Sequence, residues 1–135
     1  MKQSRLLIAD DEEGIREALR LVLGGIYRLE MAVDGEEALR RLLRERFDAV
    51  LLNIKMPKLS GLDVMKRLKQ EKVAAPPILV LTAYQSVELA KEAARLGAVD
   101  YLPKPFERQQ LLDALHDALN GSRERNGRGD SGGRR

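Results

Sequence analysis

Three short runs of apolar residues constrain the fold of this chain most strongly, because none of them alternates with polar residues. The runs cover residues 6–8, 50–52 and 78–81. A strand with one face in solvent carries a polar residue at every second position, whereas a strand covered by helices on both faces is apolar throughout. The three runs therefore predict central strands of a parallel sheet.

Weaker runs and stretches of helical period complete an alternating pattern along the chain. We predict strands over residues 5–9, 27–31, 49–52, 78–81 and 99–102, each followed by a helix. Parallel neighbours need a long right-handed crossover, which a helix supplies. The expected fold is therefore α/β and flavodoxin-like: a doubly wound (βα)5 with a five-stranded parallel sheet in order 2-1-3-4-5 and helices on both faces.

Capping residues indicate where several of the helices begin and end. Asp34 precedes Glu37 by three positions, which is the spacing of a capping box. A fourth helix is predicted to end at Gly97, because glycine readily takes the left-handed conformation that follows a helix. The last helix is predicted over about residues 107–119, with its end at Gly121.

The composition predicts one aliphatic domain followed by a basic tail. The 135-residue chain is 44% hydrophobic and 4% aromatic, and it has no Cys, so disulfides and thiolate metal sites are excluded. Residues 121–135 hold five Arg and two acidic residues, a net of +3 that equals the net +3 of the whole chain. We predict a neutral domain over residues 1–120 and a disordered Gly/Arg/Ser-rich tail or interdomain linker over residues 121–135.

Polar residues follow four of the five predicted strands. Asp10 and Asp11 follow the first, Asn53 the third, Thr82 the fourth and Lys104 the fifth. Ligands of open parallel sheets bind beyond the carboxyl ends of the strands. Oxygen ligands without His or Cys suit Mg²⁺, and an ammonium with a hydroxyl suits a phosphoryl group. Each residue alone has a plain structural explanation, such as a helix cap or a solvated charge, but their joint placement favours a site.

These motifs resemble a known family. The Asp10-Asp11 pair and the segments 53–57, 82–83 and 101–106 are similar to the receiver domain of two-component response regulators, over about residues 4–120. Within that family, residues 81–106 look most like the N-terminal receivers of enhancer-binding transcription activators. The resemblance implies a phospho-accepting signalling switch of a cytoplasmic phosphorelay, involved in transcription regulation, and not an enzyme.

The resemblance also implies a role for each matched position. The Mg²⁺ ligands would be Asp10 (through a water), Asp11, the residue at position 53 and the backbone carbonyl of Lys55. Thr82 and Lys104 would bind phosphoryl oxygens, and Tyr101 would be the aromatic switch that turns inward when Thr82 moves toward the phosphate. The Lys104–Pro105 bond is expected to be cis.

The expected partners follow from the same resemblance. They are a sensor histidine kinase and a downstream output domain or partner protein, and a homodimer is allowed. The contact face would be the fourth helix, the fifth strand and the fifth helix, with Lys91, Arg95, Asp100 and Tyr101. No membrane association and no direct nucleic-acid binding by this domain are expected, because the basic residues in excess lie in the tail.

Asn53 departs from the family pattern, in which this position holds the acceptor Asp. An amide is a poor nucleophile, so we expect no phosphorylation at position 53, weak Mg²⁺ binding, and a Tyr101 that is outward or mixed. The asparagine is either an engineered substitution or a native residue of a pseudo-receiver that acts as a phosphorylation-independent interaction module; the intact remainder of the motifs favours the first. An aspartyl-phosphate phosphatase is a rival interpretation, but it needs a nucleophilic Asp.

Overall fold

The sheet has the predicted topology. The computed structural model describes residues 3–128, with side chains described for residues 3–121. Five parallel strands lie in the order β2-β1-β3-β4-β5. Their bounds fall within one residue of the predicted ones: β1 (Arg5–Ala9), β2 (Arg28–Ala32), β3 (Ala49–Leu52), β4 (Ile78–Thr82) and β5 (Asp100–Pro103).

Helices cover both faces of the sheet, which explains the apolar runs. They are α1 (Glu13–Leu23), α2 (Gly35–Arg44), α3 (Gly61–Gln70), α4 (Val87–Arg95) and α5 (Arg108–Arg128). Leu7 of β1 packs in one core cluster with residues of α2, α3 and α4. Its neighbour Leu6 packs in a second cluster with residues of α1 and α5. Successive residues of one strand therefore enter opposite cores, so every position of a central strand is apolar.

The predicted helix caps are formed at α2 and α4. The Asp34 carboxylate accepts a hydrogen bond from the Glu37 N–H at 2.8 Å, and the Glu37 carboxylate accepts one from the Val33 N–H at 2.9 Å. Gly97 follows α4 with φ at 105°, in the left-handed region expected there. Both caps satisfy backbone groups that a helix terminus leaves without an intrahelical partner.

The predicted end of the last helix is wrong. Helix α5 continues past Gly121 to Arg128. A glycine inside a helix lowers helix stability by only about 1 kcal/mol relative to alanine, so its presence alone does not end the helix. A glycine ends a helix when it adopts a left-handed φ. Gly97 is the only glycine with positive φ among residues 3–128. Residues 121–128 therefore continue α5, and residues 129–135 of the segment predicted as a disordered tail or interdomain linker lie outside the described part of the chain.

The loop between β3 and α3 is held against the start of α2 by two glycines. The Gly35 N–H donates to the Pro57 carbonyl at 3.2 Å, and a Cβ at Gly35 would lie 1.9 Å from the Leu59 carbonyl oxygen. A Cβ at Gly61 would lie 2.2 Å from the Asn53 carbonyl oxygen. Only glycine permits such close backbone contacts, and they fix the loop that follows β3.

Candidate functional site

A cavity at the carboxyl ends of the strands gathers most of the predicted site residues. Its volume is about 260 Å³, and its lining consists of Asp11, Glu12, Asn53, Lys55, Ala83, Tyr84 and Lys104. These residues follow β1, β3, β4 and β5, so four strand ends meet at one place. Asp10 and Thr82, at the ends of β1 and β4, are outside this lining and are buried, at 2% and 0% exposed. The predicted convergence at one edge of the sheet is observed.

Asn53 joins two of the oxygens that the resemblance assigns to a metal ion. Its amide nitrogen donates to Asp11 Oδ1 at 3.2 Å and to the Lys55 carbonyl oxygen at 2.9 Å. The side chain is held in a pocket where Asn53 is only 6% exposed. The amide hydrogens therefore point to the two oxygens that would otherwise face a cation.

Lys104 is bound to two carboxylates. Its ammonium lies 2.8 Å from Asp10 Oδ2 and 3.0 Å from Glu12 Oε1, and its side chain is 7% exposed. Burial disfavours the charged lysine, but the hydrogen bonds to Asp10 and Glu12 outweigh burial and raise the pKa of Lys104. The peptide bond between Lys104 and Pro105 is cis, as predicted. Lys104 thus remains charged at the edge of the cavity.

Glu12 was not predicted as a site residue. Its N–H donates to Asp10 Oδ1 at 2.9 Å, while its carboxylate binds Lys104. The only sequence signal was its place directly after the Asp10-Asp11 pair. That position is equally compatible with a solvated first turn of α1, so the pairing across 92 residues was not readable from the sequence.

Thr82 and Tyr101 both bond to the backbone of Tyr84. The Tyr84 N–H donates to Thr82 Oγ1 at 3.0 Å, and the Tyr101 hydroxyl donates to the Tyr84 carbonyl at 2.5 Å. The Tyr101 ring is half-buried and packs against the core cluster beneath α2, α3 and α4. Burial raises the pKa of the Tyr101 phenol. The expectation of an outward or mixed Tyr101 stays a prediction, because the ring is neither exposed nor fully buried: it gains core contact while its hydroxyl finds an acceptor.

Lys55 and Tyr84 form a second contact that the sequence did not predict. The Lys55 ammonium donates to the Tyr84 hydroxyl at 3.0 Å and lies 4.9 Å from the centre of the Tyr84 ring. This hydrogen bond raises the pKa of Lys55. Lys55 had been singled out only for its backbone carbonyl. Its side chain extends along the same cavity.

The oxygens of the cavity suit Mg²⁺ in kind, because carboxylates and carbonyls are its usual protein ligands. Within residues 3–128, however, no group of three or more acidic, His or Cys side chains is arranged to hold a metal ion. Asp10 is paired with Lys104, and Asp11 with Asn53. A cation would have to replace donors that the protein itself provides.

Comparison with known families decides the relationship. The family model of the response regulator receiver domain matches residues 6–116. This chain belongs to that family. It is therefore a receiver domain of a two-component response regulator, and receiver domains are signalling domains that generally bind Mg²⁺ at the acceptor site.

Named relatives support the same assignment for this receiver. The chain is 41% identical over 128 residues to the response regulator MprA of Mycolicibacterium vanbaalenii, covering 94% of this chain and 55% of the relative. MprA of Mycobacterium leprae is 43% identical over 116 residues, covering 85% and 50%. The chain thus spans about half the length of these curated relatives. None is named as an enhancer-binding activator, so that subgroup stays a prediction.

Solved structures have the same fold as this receiver. The chemotaxis protein CheY4 of Vibrio cholerae superposes with a TM-score of 0.78 at 34% identity, covering 87% of this chain and 99% of CheY4. The Francisella response regulator 1452 receiver domain gives a TM-score of 0.81 at 27% identity, with coverage of 88% and 98%.

Within residues 3–128, helices are too short or too polar to span a bilayer.

Proposed function

We propose that this receiver domain is a signalling switch that cannot take a phosphoryl group at position 53. The supporting observation is the place of Asn53 at the end of β3, inside the cavity that Asp11 and Lys104 also line. In a receiver with a carboxylate there, one carboxylate oxygen bonds to phosphorus while the bond from phosphorus to the donor atom breaks, which is a histidine nitrogen of the kinase or an oxygen of acetyl phosphate. The amide of Asn53 has no anionic oxygen, and its nitrogen lone pair is delocalised, so this step is blocked.

The other residues retain the parts that a phosphoryl group would need. Lys104 provides a charged ammonium that Asp10 and Glu12 hold at the cavity edge. Thr82 accepts a hydrogen bond from the Tyr84 N–H, and this role leaves its own O–H as a donor. These groups would bind phosphoryl oxygens if position 53 held a carboxylate. Asn53 is then the single departure from a complete site, whether it was introduced or is native.

Mg²⁺ would be held weakly by Asp10, Asp11, the Asn53 side-chain oxygen and the Lys55 carbonyl. The three carboxylates of Asp10, Asp11 and Glu12 and the ammonium groups of Lys55 and Lys104 sum to −1, whereas a carboxylate at position 53 would give −2. A unit charge pair about 4 Å apart is worth roughly 4 kcal/mol at an effective dielectric near 20, before desolvation is subtracted. If about 1.4 kcal/mol of this survives, the affinity falls roughly tenfold. We therefore predict weak binding, in the millimolar range.

The partners proposed for this domain are those of a response regulator. A sensor histidine kinase would act on the form with a carboxylate at position 53, and an output domain or partner protein would contact the face of α4, β5 and α5. Lys91, Arg95 and Asp100 are exposed on that face, beside the half-buried Tyr101. A second copy of the chain is another candidate for the same face. Cytoplasmic location and transcription regulation belong to this proposal.

One observation favours a second function, that of a phosphorylation-independent interaction module. Tyr101 is half-buried and bonded to Tyr84 although position 53 holds an amide. A receiver that adopts this arrangement unaided would present the α4–β5–α5 face without a phosphoryl group. The two functions differ in what restoring the carboxylate does.

Acetyl phosphate tests both functions. The wild-type chain and the Asn53→Asp variant are incubated with acetyl phosphate and Mg²⁺, and their intact masses are measured. A disabled switch gives no mass increase in the wild type and one added phosphoryl group in the variant. A variant that takes up nothing supports the interaction module, and phosphoryl uptake by the wild type contradicts the proposed block.

A further inference from the structure

Tyr84 contacts three parts of the site at once. Its N–H donates to Thr82, its carbonyl accepts from the Tyr101 hydroxyl, and its own hydroxyl accepts from the Lys55 ammonium. Tyr84 lies in the loop between β4 and α4 and is 45% exposed. An exposed aromatic ring in a loop is normally mobile, so its anchoring contacts decide where the loop rests.

The contact between Lys55 and Tyr84 fixes the side chain of Tyr84. The ammonium meets both the hydroxyl, at 3.0 Å, and the ring, whose centre is 4.9 Å away. Two contacts from one cation constrain both the position and the tilt of the ring. We call this pair the Lys55–Tyr84 clasp.

The clasp is anchored at its other end to position 53. The Lys55 carbonyl accepts a hydrogen bond from the Asn53 amide at 2.9 Å, and the loop that carries Lys55 is closed by the Gly61 N–H bond to Ile54 at 2.7 Å. Lys55 therefore extends from a fixed backbone. Three hydrogen bonds thus link Asn53 to the Lys55 backbone, the Lys55 side chain to the Tyr84 hydroxyl, and the Tyr84 carbonyl to Tyr101.

We propose that the Lys55–Tyr84 clasp is a positioning device that holds Tyr101 in its half-buried conformation without a phosphoryl group. The clasp fixes the loop after β4, the loop presents the Tyr84 carbonyl, and the carbonyl captures the Tyr101 hydroxyl. This inference rests on the proposed function, in which position 53 stays unphosphorylated. It assigns Lys55 and Tyr84 a regulatory role at the same site.

The clasp also couples the cavity to Tyr101. Lys55 and Tyr84 both line the cavity beside Asn53. A ligand in the cavity that pairs with the Lys55 ammonium would draw it away from the Tyr84 hydroxyl, and the loop would then lose its anchor. Occupancy of the cavity and the position of Tyr101 would thus both depend on the contact between Lys55 and Tyr84. A local ligand biases a two-state element in this way.

Tyrosine-selective NMR tests the clasp. The chain has only three tyrosines, so selective ¹³C labelling gives three ring signals, which Tyr→Phe variants assign. Lys55→Met removes both clasp contacts, whereas Tyr84→Phe removes the hydroxyl contact and keeps the ring. The Tyr101 ring signal should move from its wild-type position toward the chemical shift of an exposed tyrosine, by less in Tyr84→Phe and by more in Lys55→Met. Amide hydrogen exchange around residues 83–86 should rise roughly fivefold in Tyr84→Phe, the factor for one lost hydrogen bond.

Matched controls separate the clasp from a general loss of stability. Lys69→Met removes an exposed lysine of α3, and Tyr27→Phe removes a tyrosine that packs against the opposite core cluster. Both should leave the Tyr101 signal unchanged. Lys55→Arg keeps a cation and N–H donors, so its Tyr101 signal should lie near that of the wild type rather than that of Lys55→Met. An unchanged Tyr101 signal in Lys55→Met, or equal shifts for Tyr101 and Tyr27, overturns the proposal. Phosphoryl uptake by the wild type would contradict the proposed function alone, so the two failures are distinguishable.

Discussion

Asn53 donates an amide hydrogen to Asp11 across the ends of β1 and β3, with 3.2 Å between Nδ2 and Oδ1. The same nitrogen donates to the Lys55 carbonyl. Both oxygens are thereby satisfied by the protein itself. Under the proposed function, Asn53 therefore lacks the charge of an acceptor carboxylate and also occupies two oxygens that a cation would need.

Metal affinity should therefore depend on position 53. Asn53→Asp removes the donated amide hydrogens and adds a charge, so Mg²⁺ should bind at least about tenfold more tightly than to the wild type, for which we expect millimolar binding. Titration calorimetry measures both constants, and Asp11→Asn in the Asn53→Asp background should cancel the gain. Micromolar Mg²⁺ binding by the wild type would refute this explanation.

Lys104 should contribute to stability through its buried partner. Lys104→Met leaves the Asp10 carboxylate, 2% exposed, without its cation. Breaking one side of a buried ion pair typically costs about 3–5 kcal/mol. We therefore expect the free energy of unfolding, measured with urea, to fall by about 3 kcal/mol. Lys69→Met on the exposed face of α3 should change it by less than about 0.5 kcal/mol.

A double variant identifies the cause of that loss. If the unpaired charge of Asp10 is responsible, adding Asp10→Asn to Lys104→Met should recover part of the lost stability. Strict additivity of the two single effects would show that Asp10 and Lys104 are not energetically coupled.

Gly35 should tolerate no side chain. Gly35→Ala places a Cβ within 1.9 Å of the Leu59 carbonyl oxygen, so the loop after β3 or the start of α2 must shift. Overpacking of this kind costs about 1–3 kcal/mol. Gly14→Ala is the matched control, because nothing lies within 4 Å of its added Cβ and alanine favours the helix. Thermal melts should show a lower midpoint for the first variant and an equal or higher one for the second.

Glu45 should make stability depend on acid pH. Hydrogen bonds from Arg41 and then Arg5 lower the pKa of Glu45 to about 2 from 4.5. Because the folded pKa lies below the unfolded one, the stabilisation is present above about pH 4.5 and is lost as the pH falls toward 2. Glu45→Gln should therefore have a lower free energy of unfolding than the wild type at neutral pH. This difference should shrink as the pH falls from about 4.5 to 2, and urea unfolding at several pH values measures it.

Exposed Glu71 provides the control for the acid titration. Glu71→Gln, at the end of α3, should follow the wild-type pH profile of the unfolding free energy. A constant gap between Glu45→Gln and the wild type from pH 7 down to about 2 would show that the carboxylate charge is not the source of the stabilisation.

The sequence was sufficient for the sheet and for the edge where the site lies. Unbroken apolar runs identify strands buried on both faces, and strand ends of a parallel sheet meet at one edge, so Asp11, Asn53 and Lys104 could be placed together. Both inferences use local patterns or topology.

Side-chain partners could not be inferred in this way. Lys55 meets Tyr84 across 29 residues and Glu12 meets Lys104 across 92, and both pairs depend on rotamers of long side chains at loop ends. The partner of Tyr101 was unpredictable for the same reason, since its hydroxyl donates to the backbone carbonyl of Tyr84, 17 residues away. The end of α5 was misplaced because a glycine marks a helix end only through its backbone conformation.

Mapping the phosphoryl group in Asn53→Asp is the most direct test of the central claim, that position 53 is the acceptor position of this site. The wild type, Asn53→Asp, and Asn53→Asp combined with Asp11→Asn are treated with acetyl phosphate and Mg²⁺, reduced with borohydride and analysed by peptide mass spectrometry. We predict modification at position 53 in the single variant, far less in the double variant and none in the wild type. Modification of the wild type, or of the single variant at any other position, would contradict the account.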